Sequence, residues 1–286
     1  VSCGSGELKK PSNGENIDDL DVAPEVSKQT FEKKPKLTYN RADDHYETAS
    51  PTNALAAESA NRMDKAEAAG LKDPMGTMMV LCYQKQFSEG FALAETLFET
   101  HQNLPTYWNQ VATCHLLQGN EPKPLLFYNK ALEVTPNYVP ALNNIGVIYG
   151  KSNQDQKALV ALQKSLGGGK FTKTPRYNLA FLLLRYGLAD EALGHFRGLS
   201  EEAPQDAELR AGLANALAVT HRWPEAWENF NKIPESLRRR PDIGLNMALT
   251  AKRDGQTEQA KNILDATKIG SSDSEYASEI RQVLGE

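Results

Sequence analysis

The sequence predicts an all-α chain, a superhelical α-solenoid of about six helical hairpins with a helical cap at each end. Three observations predict it. A 34-residue ruler anchored on Pro136 fits residues 71–274 without insertions, giving units 71–104, 105–138, 139–172, 173–206, 207–240 and 241–274. Small residues recur at unit position 8 (Ala112, Gly146, Ala180, Ala214, Ala248) and position 20 (Gly90, Ala158, Ala192, Ala226, Ala260). Large apolar residues accompany them at position 7 (Val111, Ile145, Leu179, Leu213, Met247) and position 24 (Tyr128, Leu162, Phe196, Phe230, Leu264). Two helices approach most closely where side chains are smallest, and the bulky neighbours fill the space beside that contact.

Each unit also carries its own stop signals. Gly119, Gly187 and Gly255 stand at position 15, where a left-handed residue ends the first helix of a hairpin. Pro136, Pro204 and Pro241 fall between units, where one helix stops and the next begins. The second unit shows Trp108, Ala112, Tyr128, Ala131 and Pro136, and the third shows Ile145-Gly146, Tyr149 and Ala158. This pattern resembles the tetratricopeptide repeat, a 34-residue helical hairpin with Trp at 4, Leu-Gly at 7–8, Tyr at 11, Ala at 20 and 27, and Pro at 32. The resemblance covers residues 71–274. Three departures stand out: Met78 and Gly90 in the first unit, Pro122 and Pro124 in the second, and Gly167–Gly169 in the third. Pro124 is tolerated only within the first turn of its helix, where the missing N–H has no partner to lose. The glycine run predicts a flexible connection about which 71–166 pivots against 173–274.

Outside the units, Ser50, Pro51 and Gly70 bracket an expected capping helix over 51–70. Tyr276, Ile280, Val283 and Leu284 recur at helical spacing, so 275–286 is expected to close the other end. Residues 1–50 are polar, contain Pro11, Pro24 and Pro35, and read as an extended tether. The run Val1-Ser2-Cys3 resembles the end of a bacterial lipobox, which implies a lipid anchor on Cys3 and an export leader upstream. Gly4 after that cysteine implies the outer membrane rather than the inner.

Composition narrows the chemistry. The chain has 286 residues, 40% of them apolar, and a net charge of −5, which disfavours nucleic acid as a partner. Arg238-Arg239-Arg240 is the one dense basic run and reads as a solvated turn between units. His45, His101, His115, His195 and His221 never pair at metal-ligand spacing. His115, at position 11, reads as a packed imidazole. Lys164 and Phe171 occupy positions where a phosphate loop around Gly169-Lys170 needs glycine and a hydroxyl residue. No nucleophile motif appears, so the chain is expected to be neither an enzyme nor a cofactor or metal carrier. Cys82 and Cys114 read as small buried helix residues, with a disulfide between them as the alternative for an exported chain.

The tetratricopeptide resemblance implies a concave groove lined by first-helix positions 2, 5, 9 and 12. Candidate groove residues are Met75, Met79, Asn109, Thr113, Asn143, Val147, Tyr177, Phe181, Leu245 and Leu249. Asn109 and Asn143 are suited to an extended peptide backbone, and Tyr177 and Phe181 to its apolar side chains. Met75 and Met79 break the family's carboxylate-clamp pattern, which disfavours a reader of chaperone tails. The expected function is a protein-interaction scaffold, an outer-membrane lipoprotein on the periplasmic side. Asn143-Asn144-Ile145-Gly146 resembles the pilotins that help a pilus secretin assemble, so a secretin segment is an expected partner. The alternative is a soluble cytosolic adaptor.

Overall fold

The computed structural model describes residues 74–119, 123–167 and 173–285. The expected tether, Cys3, the capping helix over 51–70 and most of the glycine-rich connection lie outside them. The described residues are all-α, with no strand among them. They divide into two units between Leu179 and Ala180, inside a helix.

The N-proximal unit holds α1 (Pro74–Tyr83), α2 (Phe87–His101), α3 (Pro105–Gln118), α4 (Lys123–Val134), α5 (Val139–Lys151), α6 (Asp155–Leu166) and the start of α7 (Lys173–Arg185). The C-proximal unit continues from α7 with α8 (Ala189–Glu202), α9 (Ala207–Val219), α10 (Trp223–Asn231), the short α11 (Glu235–Arg238), α12 (Pro241–Arg253), α13 (Thr257–Ala266) and α14 (Ser274–Leu284). Helices α3, α5, α9 and α12 begin at the first residue of a 34-residue unit. Proline pre-sets the first turn in α3 and α12 and follows at the second residue of α5. In α9 the Asp206 carboxylate caps instead, accepting from the N–H groups of Glu208 (2.9 Å) and Leu209 (3.2 Å). Pro124 is the second residue of α4, inside the first turn.

Every hairpin turns in the same way. Position 15 has a left-handed φ in all six units, at Lys85 (63°), Gly119 (78°), Asn153 (62°), Gly187 (76°), His221 (60°) and Gly255 (83°). In five of them the next N–H reaches back to the carbonyl at position 11: Gln86 to Leu81, Gln154 to Tyr149, Leu188 to Leu183, Arg222 to Leu217 and Gln256 to Ala251. These bonds satisfy carbonyls that the end of a helix leaves open.

Small residues at positions 8 and 20 sit inside these hairpins. Ala112, Ala158, Ala180, Ala192, Ala214, Ala226, Ala248 and Ala260 are all fully buried. Tyr128, Leu162, Phe196, Phe230 and Leu264 at position 24 are equally inaccessible, and apolar clusters run from one hairpin into the next, joining Met78 to Val111 and Phe230 to Met247. Gly212 on α9 shows how tight the packing between hairpins is: a Cβ there would fall 2.2 Å from the Phe196 ring.

Three expectations change. Cys82 and Cys114 are not free packed thiols but a disulfide joining α1 to α3, with Cα atoms 5.2 Å apart. Their ruler positions differ, 12 and 10, yet the packing of α1 on α3 brings them together. Arg238–Arg240 is not a solvated turn. Pro234 stops the chain continuing α10, and the Arg238 guanidinium donates to the carbonyls of Ile233 (2.6 Å) and Asn231 (2.6 Å). Arg240 pairs with Glu208 on α9 and Asp242 on α12. Burial opposes its charge, but the two carboxylates more than offset that, and its pKa is raised. Burial also pushes the Glu208 carboxyl up, with Arg240 pulling the other way. Only Arg239 of the three is largely exposed, paired with Glu235 at 2.9 Å. Finally, the second half of unit five is two short helices rather than one.

Candidate partner-binding face

The repeated hairpin sets unit positions 5 and 6 of successive first helices beside one another. In the N-proximal unit those positions carry amides. The Asn178 Nδ2 on α7 donates to the Asn143 Oδ1 on α5 at 2.8 Å. The Asn143 Nδ2 donates to the Asn144 Oδ1 at 3.0 Å, and the Asn144 Nδ2 points to the Asn109 Oδ1 on α3 at 3.4 Å. All four side chains are at most 1% exposed. A buried amide costs free energy unless its donor and acceptor are used, and here each neighbour supplies the missing group. The row therefore ties three first helices together.

Asn109 and Asn143, expected to meet a peptide backbone, bond within this row. Thr113 bonds inside its own hairpin, donating to the Asn109 carbonyl (2.9 Å) and meeting the Tyr128 hydroxyl at 2.9 Å. Met75, Met79, Val147 and Tyr177 are buried in the N-proximal unit, and Leu245 in the C-proximal one. Phe181 and Leu249 remain partly exposed. Phe181 packs edge-on against Phe196, ring centroids 5.2 Å apart. Leu249 lies beside the cluster in which Ala277, Ile280 and Leu284 of α14 cover Leu245, Ala248 and Leu264. In place of another amide, the Tyr276 hydroxyl of α14 donates to the Asn246 Oδ1 at 2.8 Å.

Asn144 and Asn178, at position 6, were not among the expected residues. They repeat at a spacing of 34, as Asn109 and Asn143 do one residue earlier, and that double recurrence was the available signal. On α3, the His115 ring sits between Phe91 (4.4 Å) and Phe127 (5.1 Å, nearly parallel). Burial, aided by Lys123, lowers its pKa below the ordinary histidine value. Phe127 in turn stacks on Trp108 at 6.0 Å.

Among the described residues no group of three or more His, Cys, Asp or Glu is placed to hold a metal ion. None of their helices is long and apolar enough to cross a membrane.

An array of 34-residue helical hairpins with buried small residues at each crossing and a left-handed turn in each unit has the tetratricopeptide α-solenoid fold. Residues 127–160 match the model of a tetratricopeptide repeat. No curated protein sequence matches the chain. Among solved structures, PilF of Pseudomonas aeruginosa is similar over 75% of this chain and 99% of its own, at 13% identity and a TM-score of 0.63. PilW, described as a widely conserved type IV pilus biogenesis factor, is similar over 74% and 96%, at 17% identity and 0.61. YrrB, described as a TPR protein with an unusual peptide-binding site, is similar over 66% and 97%, at 21% identity and 0.53. The described residues thus share the fold of these tetratricopeptide structures.

Proposed function

We propose that the chain is a non-enzymatic, lipid-anchored scaffold of the bacterial outer membrane that holds a protein segment of an envelope machine such as a pilus secretin. The observation that carries this reading is the likeness to PilF and PilW along almost their entire lengths. The Cys82–Cys114 disulfide supports export, because such bonds persist in oxidising compartments and are rare in the cytosol. Cys3 supplies the anchor, since several acyl chains on one residue hold far more firmly than one. The partner segment lies against the first-helix face, where Phe181 and Leu249 offer apolar surface.

Two measurements test this reading. Fractionation of cells carrying the full chain places it in the outer membrane, and Cys3→Ala releases it to the periplasm. Crosslinking to the secretin is lost in the double variant Phe181→Asp and Leu249→Asp while the melting temperature stays within a few degrees. A Cys3→Ala protein that stays in the membrane removes the anchor from the account. Unchanged crosslinking by the double variant removes the face.

A further inference from the structure

The disulfide joins residues 32 apart in sequence, on the first helices of two consecutive hairpins. Both cysteines are 1% exposed, among Met75, Met78, Ala94, Leu97, Tyr107 and Val111. Helix α2 closes over this site, and it does so at Gly90. A Cβ on Gly90 would stand 2.7 Å from the Cys82 Sγ, closer than any unbonded pair tolerates. Four other units carry alanine at this same position 20. The missing methyl in unit one is the room the sulfur occupies.

This packing constrains how the bond is made. Thiol–disulfide exchange needs a thiolate, and it needs the sulfur of an incoming disulfide in line with it. An apolar burial raises the pKa of a thiol and leaves little thiolate. With α2 in place there is also no space at Cys82 for another protein's cysteine.

We infer that Cys82 and Cys114 are an oxidation site for a protein disulfide donor, used before α2 closes over α1. In the first exchange one cysteine thiolate attacks the donor's disulfide, forming a mixed disulfide and freeing one donor thiolate. The second cysteine, as thiolate, attacks the chain-side sulfur of that mixed bond and expels the other donor sulfur. The chain loses two protons and two electrons, and the donor leaves as a dithiol. The first hairpin is latched to the second by this step. The inference rests on the packing around the two sulfurs and stands apart from the partner and the lipid anchor.

The test uses the full chain with Cys3→Ser, so that Cys82 and Cys114 are its only cysteines. Secreted into an oxidising compartment, it resists maleimide in urea until a reductant is added. The reduced chain is then offered an oxidised thioredoxin-fold disulfide donor, either held in urea or after refolding. Oxidation of the refolded chain is expected to be at least about tenfold slower, because it must wait for α2 to open. A reduced chain that refolds only once the donor is present gives the same answer. Gly90→Ala is expected to lower the melting temperature in the oxidised chain and to cost much less when Cys82→Ala is also present. Two maleimide-reactive thiols in the secreted chain, equal oxidation rates in the two arms, or a Gly90→Ala cost indifferent to Cys82 each overturn the inference.

Discussion

Lys85, Asn153 and His221 hold side chains in a left-handed backbone conformation that glycine fills in the other three units. A Cβ in that conformation costs roughly 1–2 kcal/mol, and asparagine bears it more easily than lysine or histidine. Glycine returns part of that gain through the entropy of the unfolded chain. Lys85→Gly and His221→Gly are therefore expected to stabilise the protein by about 0.5–1 kcal/mol each, and Asn153→Gly by less. The urea midpoints of the three single variants check this, and a loss of stability at Lys85 or His221 contradicts it. The turn was legible at Gly119, Gly187 and Gly255 because glycine announces it. At the other three sites only the spacing did, because the bond from position 16 to position 11 and the hairpin around it impose the geometry.

At the scale of elements, spacing proved a better guide to where helices begin than to what their side chains meet. Equal unit lengths made the starts of α3, α5, α9 and α12 readable. The disulfide was not readable, because Cys82 and Cys114 occupy different unit positions and meet only once α1 packs on α3. The short α10 and α11 carry a signal in Pro234, but the role of Arg238 in closing the end of α10 depends on a fold-back that spacing cannot show. The amide row was half legible: Asn109 and Asn143 stood out at position 5, while Asn144 and Asn178 lay one residue outside the expected stripe. Removing Asn144 leaves the Asn143 Nδ2 and the Asn109 Oδ1 without the bonds they make. Asn144→Ala is expected to cost about 1–3 kcal/mol for each buried group so stranded. Thermal unfolding measures it, with the exposed Asn137→Ala as a control near zero.

The whole molecule must end somewhere, and a hairpin array exposes an apolar face wherever it stops. In the C-proximal unit α14 meets that need, burying Ala277, Ile280 and Leu284 while its outer side carries Glu275, Glu279 and Arg281. A chain cut after Gly270 loses Ile280 and Leu284 from the cluster they share with Leu245. Its loss is expected to be about 3–6 kcal/mol, because the burial of Ile280 and Leu284 goes with α14. Light scattering is expected to show association at concentrations where the full chain is monodisperse. An equally stable, monodisperse truncated chain argues against the cap. The amide row has a consequence on this larger scale too. Its donors all run one way, from α7 through α5 to α3. Neither inner member, Asn143 or Asn144, can turn over alone without setting oxygen against oxygen on one side and NH2 against NH2 on the other. A reversal at one end must pass along the file like a row of dominoes, so these three helices share one binary choice.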